Sequence, residues 1–449
     1  MILRNFHNFN KNSIPFQHYM AFFATFLFIF IFSNTIYAQN LHSGIINSDE
    51  FWHSDDGSVV IDGDLLIAAN TTLTVDPGVD IKIKEGVVIT VLGRFDLNGE
   101  VEHPIKIDSY NDQRWGAISF EENGSGLLKH CYINHGSQAS GNRVGMINAY
   151  RCTSSVIIDS CTFTDWPDDF GAKATQAYHS PKMEIRRCLF GPGENEAIHG
   201  SNSAVLIEYN TFEQRYGYSD AVDIGDTQNP GPIIRYNVFL GSEDDGIDLD
   251  TCDAYVEGNL VMNCRGGNHD PIGISGDKDA NPIIVNNVII NCENGIGFKN
   301  GADITVINNT IINCDRGVWL HQDAAHARMI NTIIWGRDDQ ISIKLEPGST
   351  IDASYSIMKG ESIYPGTGNQ NADPMLVNPL ENMFELLPGS PAIDAGWGEE
   401  AVLDYDFSGN SRFDALEAVN TTSSNPAYID IGAFEYQAAI THIKKWMMF

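Results

Sequence analysis

Two short segments carry most of the chemistry in this chain: SDAVDIGD, with Asp220 and Asp223, and SEDDGIDLD, with Asp244, Asp245 and Asp248. Carboxylates crowded in this way repel unless a cation neutralises them. A hard, oxygen-ligated ion such as calcium is the simple partner for several Asp side chains. The segments EAIHGS, IGISGD, NGIGFK and RGVWLH align with these two. Ile198, Val222, Ile247, Ile274, Ile296 and Val318 form an inward column, so period-two alternation turns the next residues outward. These are His199, Asp223, Asp248, Ser275, Gly297 and Trp319, followed two residues on by Ser201, Gly225, Asp250, Asp277, Lys299 and His321. Glu196, Asp220, Asp244 and Asp245 lead into the strands. Stacked about 4.8 Å apart, such strands would gather the five Asp residues into one patch. The plainer alternative is an acidic ridge on a chain already rich in Asp.

Only a repeating element can stack these segments. From residue 120 onward a template of aliphatic run, polar pair, fixed residue and aliphatic pair recurs, in LLKHCYI, IIDSCTF, EIRRCLF, LIEYNTF, IIRYNVF, YVEGNLV, IVNNVII, VINNTII and MINTIIW. The fixed column reads Cys131, Cys161, Cys188, Asn210, Asn237, Asn259, Asn287, Asn309 and Asn331, at spacings of 30, 27, 22, 27, 22, 28, 22 and 22 residues. A period that returns to 22 and absorbs insertions predicts an all-β, right-handed parallel β-helix, one coil per repeat. The Asn column reads as a structural ladder whose amides satisfy bend backbone groups. The in-column cysteines, with Cys264, Cys292 and Cys314, read as small buried residues left free rather than paired.

Composition agrees. Lys+Arg 27 against Asp+Glu 59 leaves a formal charge of −32, which argues against nucleic acid as a partner. A hydrophobic fraction of 43% requires a large core, and 41 Gly with 17 Pro mark many turns. Residues 1–38 have the layout of a secretory signal: Arg4 and Lys11, an apolar run from Met20 to Phe32, and a cleavage position after Ala38. That predicts an exported monomer with no membrane span after cleavage; an N-terminal anchor helix is the alternative. The β-helix is expected over 45–370, with the first coils in VVIDGDLLIAANTTLTVDPG. Beyond it, 371–440 forms a short C-terminal β cap in which Asp404, Asp406 and Asn410 offer a calcium loop.

The Asp220 and DDGID arrangement resembles the β-helix polysaccharide lyases, most closely the family 9 pectate lyases. The resemblance spans roughly residues 190–320. The stretches FELLPGSPAIDAGWG, DYDFSGNSRFD and YIDIGAFEYQ likewise resemble the C-terminal region of many exported bacterial β-helix proteins. The first resemblance implies calcium on Asp220, Asp223, Asp244, Asp245 and Asp248, an acidic poly- or oligosaccharide substrate, and β-elimination at a uronic acid. If only a terminal uronate fits, the same chemistry expels water. The family's base is a Lys one coil beyond the cluster, where this chain has Ser275. Lys299, Lys278 and His199 are therefore the candidate bases, with Tyr216 or Tyr218 as substitutes. Arg215, Arg235 and Arg265, with Arg186 and Arg187, are candidate anion subsites, and Trp319 and Tyr218 are candidate sugar platforms. The same Asp pattern also resembles the polygalacturonases, with Asp220, Asp244 and Asp245 as the hydrolytic carboxylates. A non-catalytic glycan-binding module is the third possibility.

Overall fold

Each central coil turns where one residue adopts the left-handed conformation. In the computed structural model, which describes residues 40–437 apart from 139–140, 142, 168–170, 399–402, 417, 425 and 427, Arg187, Tyr209, Tyr236, Gly258, Asn286 and Asn308 have φ between 52° and 62°. Each precedes a member of the fixed column. The side-chain amides of Asn210, Asn237, Asn259 and Asn287 donate to the Oδ1 of the next Asn in the stack at 3.0, 2.9, 3.0 and 3.0 Å. Those oxygens also accept the backbone amides of Asn210, Asn237, Asn259 and Asn287. The second amide proton of each goes to a carbonyl one coil back, such as Ile207 O from Asn237. In these four coils the ladder thus pairs both the bend backbone amide and the side-chain amide.

The ladder ends one coil earlier than the sequence alignment has it. Thr310 pairs with Ile333, so Thr332 stands opposite Asn309 and donates its backbone amide to Ser356 Oγ at 3.0 Å. Asn331 is instead the left-handed residue of that coil, at φ 51°.

The strands form three parallel ladders. One is a 13-stranded sheet from Glu50–Trp52 to Thr350–Ser354. The other two merge into a 25-stranded sheet through Val59–Ile67, whose two ends pair with Asp80–Ile83 and Val88–Val91. Inside, like stacks on like: the rings of Phe163, Phe190, Phe212 and Phe239 follow one another at 5.0, 4.9 and 4.6 Å. All eight cysteines are buried and free. The segment 1–38, read as a signal peptide, lies outside the described residues. Among the described residues no helix is long and apolar enough to cross a membrane.

After the last coils the chain folds back along one flank. The strands Leu260–Met262, Val288–Ile290 and Thr310–Ile312 are buried on both faces, which is why they read as unbroken apolar runs. Their outer side chains pack with Phe384, Leu386, Ile393, Phe407 and Phe434 of the C-terminal region, which contains the antiparallel pair Leu376–Asn378 and Met383–Leu386. The left-handed Asn residues dock this region. Asn286 donates to Tyr405 O, Asn308 to the carbonyls of Asp430 and Gly432, and Asn331 exchanges two bonds with the Trp397 backbone. The turn expected to hold calcium is closed by donors instead: Asp406 accepts Asn410 N, Asn410 Nδ2 and Glu435 N.

Candidate functional site

The site lies on the second ladder of the larger sheet, away from the C-terminal cover. Pairing gives the outward column His199, Asp223, Asp248, Ser275, Gly297, Trp319 and Lys344 in register. Three residues before each, at the mouth of the strand, runs the series Glu196, Asp220, Asp245, Ile272, Asn294, Arg316 and Ile341, with Lys173 at the same place one coil upstream of Glu196. Between these two columns opens a groove of about 730 Å³. Gly297 lowers its floor between Ser275 and Trp319; a Cβ there would meet Ile272 Cδ1 at 2.8 Å.

Asp220, Asp244 and Asp245 converge in this groove, each offering an oxygen within 4.8 Å of the others. The backbone fixes them. Asp220 Oδ1 accepts the Asp245 amide at 3.0 Å, and Asp245 Oδ1 accepts the Ile272 amide at 2.8 Å. Ser275 Oγ stands 2.5 Å from Asp245 Oδ2 and 2.8 Å from Asp248 Oδ1. One hydroxyl proton serves only one of those contacts, so both close fully when one carboxyl carries a proton of its own. Burial, then repulsion from Asp248 and their other acidic neighbours, holds Asp220 and Asp245 well above the usual carboxylate range. Burial lifts Asp244 to about 6 against the pull of His269 and Lys299. It lifts Asp248 to about 7, with Asp223 and Asp250 pushing the same way. Without a cation, the cluster is a set of acids that resist ionising together. Donors of this kind, all carboxylate oxygens, match a hard divalent ion.

The candidate residues fare differently. Asp223 and Asp248 line the groove beside the trio, and Lys299 lines it two coils on, with Nζ 3.9 Å from Asp277 Oδ2. His199 does not line it; on the coil before Asp223, its Nδ1 lies 2.9 Å from Asp223 Oδ2. Lys278 sits in a left-handed turn and bonds Asp250 at 2.9 Å, outside the groove. Arg215 is not an anion subsite. It is fully buried against Trp166, with its guanidinium spent on the carbonyls of Gly191, Asn195 and Glu213. Arg235 belongs to the 13-stranded sheet and pairs with Glu208, and Arg265 is tied to Asn291 O, Cys292 O and Asp315. Neither reaches the groove. Trp319 does line it, but as packed wall rather than exposed platform: only 6% accessible, it stacks on His321 at 3.8 Å under Arg316 and Lys344.

Other groove residues escape a reading that begins at Glu196. Lys173 pairs with Glu196 at one end. Beside its other end Arg316 and Lys344 cover the Trp319 ring, while Tyr218, already named from the sequence, is exposed and lines the groove with His269, which it meets edge-on at 4.4 Å. Extending the strand alignment one coil upstream and one downstream would have found Lys173 and Lys344. The groove is thus acidic in its middle coils, and beyond Gly297 it is lined by Lys299, Trp319, His321, Gln322 and Glu346.

A family model described as periplasmic copper-binding protein (NosD) matches residues 154–369. Among solved structures, a periplasmic alginate epimerase mutant aligns with TM-score 0.45 at 10% identity, covering 69% of this chain and 84% of that one. A mannuronic acid-specific family 6 polysaccharide lyase from human gut microbiota aligns at 0.40 and 12%, covering 70% and 87%. A pectate lyase aligns at 0.30 and 16%, covering 81% and 89%. A search of curated proteins gave no match. At these identities and scores the likenesses carry nothing about activity.

Proposed function

We propose that this protein is an exported, monomeric, calcium-dependent enzyme that removes the C5 proton of a uronic acid in a poly- or oligosaccharide and eliminates the substituent at C4. The observation that carries this is the convergence of Asp220, Asp244 and Asp245 in a groove that Lys299 also lines two coils further on. Calcium held by these three, with Asp223 and Asp248 beside them, would neutralise the uronate carboxylate and stabilise the charge that develops as the C5 proton leaves. Nitrogen and sulfur donors, which copper favours, are absent from the trio.

Lys299 is the base we assign, since Lys278 and His199 lie outside the groove. Its proton acceptance completes the elimination, with the C4 substituent departing as the next sugar or, at a chain end, as water. Arg316 and Lys344 would hold a second carboxylate of the same substrate, which overcomes locally the repulsion between an acidic polymer and a chain of charge −32.

A hydrolase is the second reading, favoured by the raised Asp244 and Asp248, because a general acid must stay protonated near neutral pH. Chelator separates the two. Offered a panel of uronic-acid polymers and oligomers, the protein should form the ultraviolet-absorbing unsaturated uronate with calcium and lose that activity in chelator. Reducing ends released in chelator without unsaturation would establish the hydrolase. Binding without either product would leave a glycan-binding module.

A further inference from the structure

Where the C-terminal region meets the last coil, a second cleft of about 540 Å³ opens, and no residue that lines it also lines the groove. Three half-buried aromatic side chains face it, Tyr355, Tyr364 and Trp397. Tyr355 is the left-handed residue of its bend, at φ 47°, and its ring stacks on Trp397 at 4.9 Å and 24°. Gly368 passes against the same ring, where a Cβ would clash with Tyr355 Cδ1. Beside the rings stand Arg328 and Asp352, register partners on the last two strands of the 13-stranded sheet and both exposed. Thr367 adds an exposed hydroxyl from the lip of the cleft.

Hydrogen bonds hold each wall in place. The buried side-chain amide of Asn369 is directed at the carbonyls of Ala353, Tyr364 and Pro365 at 3.0, 3.2 and 3.2 Å. The Tyr355 amide donates to Thr367 O at 2.8 Å, which ties the bend to the lip. Trp397 is fixed through its backbone, which exchanges bonds of 2.7 and 3.1 Å with the Asn331 side chain. A cleft shaped in advance loses little conformational freedom when it is filled. Its chemistry is mixed. The rings offer apolar faces, Arg328 only donors and Asp352 only acceptors. A hydroxyl both donates and accepts, so neighbouring hydroxyls on one ring satisfy both side chains at once. A carboxylate would gain from Arg328 and lose to Asp352.

We propose that this cleft binds a neutral pyranose unit of a glycan, with the C–H face of the sugar against the aromatic side chains and its hydroxyls shared between Arg328 and Asp352. The site is non-catalytic. It anchors the protein to a saccharide at a place remote from the acidic trio, and it stands whether or not the groove performs an elimination.

Saturation-transfer NMR and calorimetry on the full chain test this, with neutral tetrasaccharides of glucose, mannose, galactose and xylose as probes and a tetragalacturonate as the anionic control. At least one neutral probe should bind saturably. Arg328→Ala and Tyr364→Ala should each weaken that binding about tenfold or more, the loss of a charge-assisted contact or of a packed ring. Arg328 is exposed, so its substitution should keep the fold where Trp397→Ala risks loosening the C-terminal region. The groove variant Asp245→Asn should bind the neutral probe as the wild type does. The proposal is overturned if no neutral probe binds, or if binding is unchanged in both Arg328→Ala and Tyr364→Ala. Loss of the neutral probe in Asp245→Asn would place the binding in the groove and overturn it too. Tetragalacturonate binding that depends on Arg328, without any neutral binding, would overturn the assignment of a neutral sugar.

Discussion

At the scale of single residues, the groove acids set a pH dependence whose sign follows from their burial. Asp248 and Asp244 are raised to about 7 and about 6 from an ordinary 3.8. Between the ordinary and the raised values the folded state binds more protons than the unfolded one, so stability falls as pH rises through that window. In chelator, the melting temperature should therefore decline from pH 5 to pH 8. Saturating calcium should reverse much of the decline, because the cation takes the place of the protons. A metal-free melting temperature that climbs across the same window would contradict the assignment of these groups as raised acids. Lys344 gives a second test at this scale. Its ammonium lies 4.7 Å over the ring of Trp319, which lines the groove. Lys344→Ala should raise KM for oligomeric uronates about tenfold, the loss of one charge-assisted contact, and leave kcat nearly unchanged. A fall in kcat at constant KM would place Lys344 in the chemistry.

At the scale of the coil, the Asn ladder links each repeat to the next. Asn259→Ala removes the acceptor of both the Asn237 amide and the Asn237 side chain, and the donor to Asn287. Buried groups left without partners cost about 1–3 kcal/mol, a loss that denaturant unfolding will measure. A change within experimental error would mean that water replaces the missing amide. Coil and ladder were legible in the sequence because strand alternation and a short period repeat the same demand many times. The signal failed where two residue types fit one demand. Asn331 looked like a ladder residue, yet the register hands that role to Thr332, since the left-handed position before the ladder also accepts Asn. Arg215 failed for another reason: it lies between strands, where alternation predicts nothing, and its pairing with Trp166 depends on a contact across the coils.

At the scale of the molecule, the acidic trio was legible because its members fall at fixed offsets from the inward column: Asp220 and Asp245 three residues before the outward one, Asp244 next to Asp245. The cations beside the groove were not, because Arg316 and Lys344 approach it only by stacking on Trp319. The flank tells of a further dependence. Leu260, Val288, Ile312 and Ile333 are apolar on an outer face that only the C-terminal region covers, so a chain ending at residue 370 should aggregate or lose its cooperative thermal transition. A truncated chain that melts as the full one does would show that the cover is dispensable. The central claim, that the groove removes the C5 proton of a uronate, is tested most directly with an oligouronate deuterated at C5. With calcium present, deuterium should pass to solvent in step with formation of the unsaturated product, and both should stop in Asp245→Asn. Cleavage that leaves the label on C5 would contradict it.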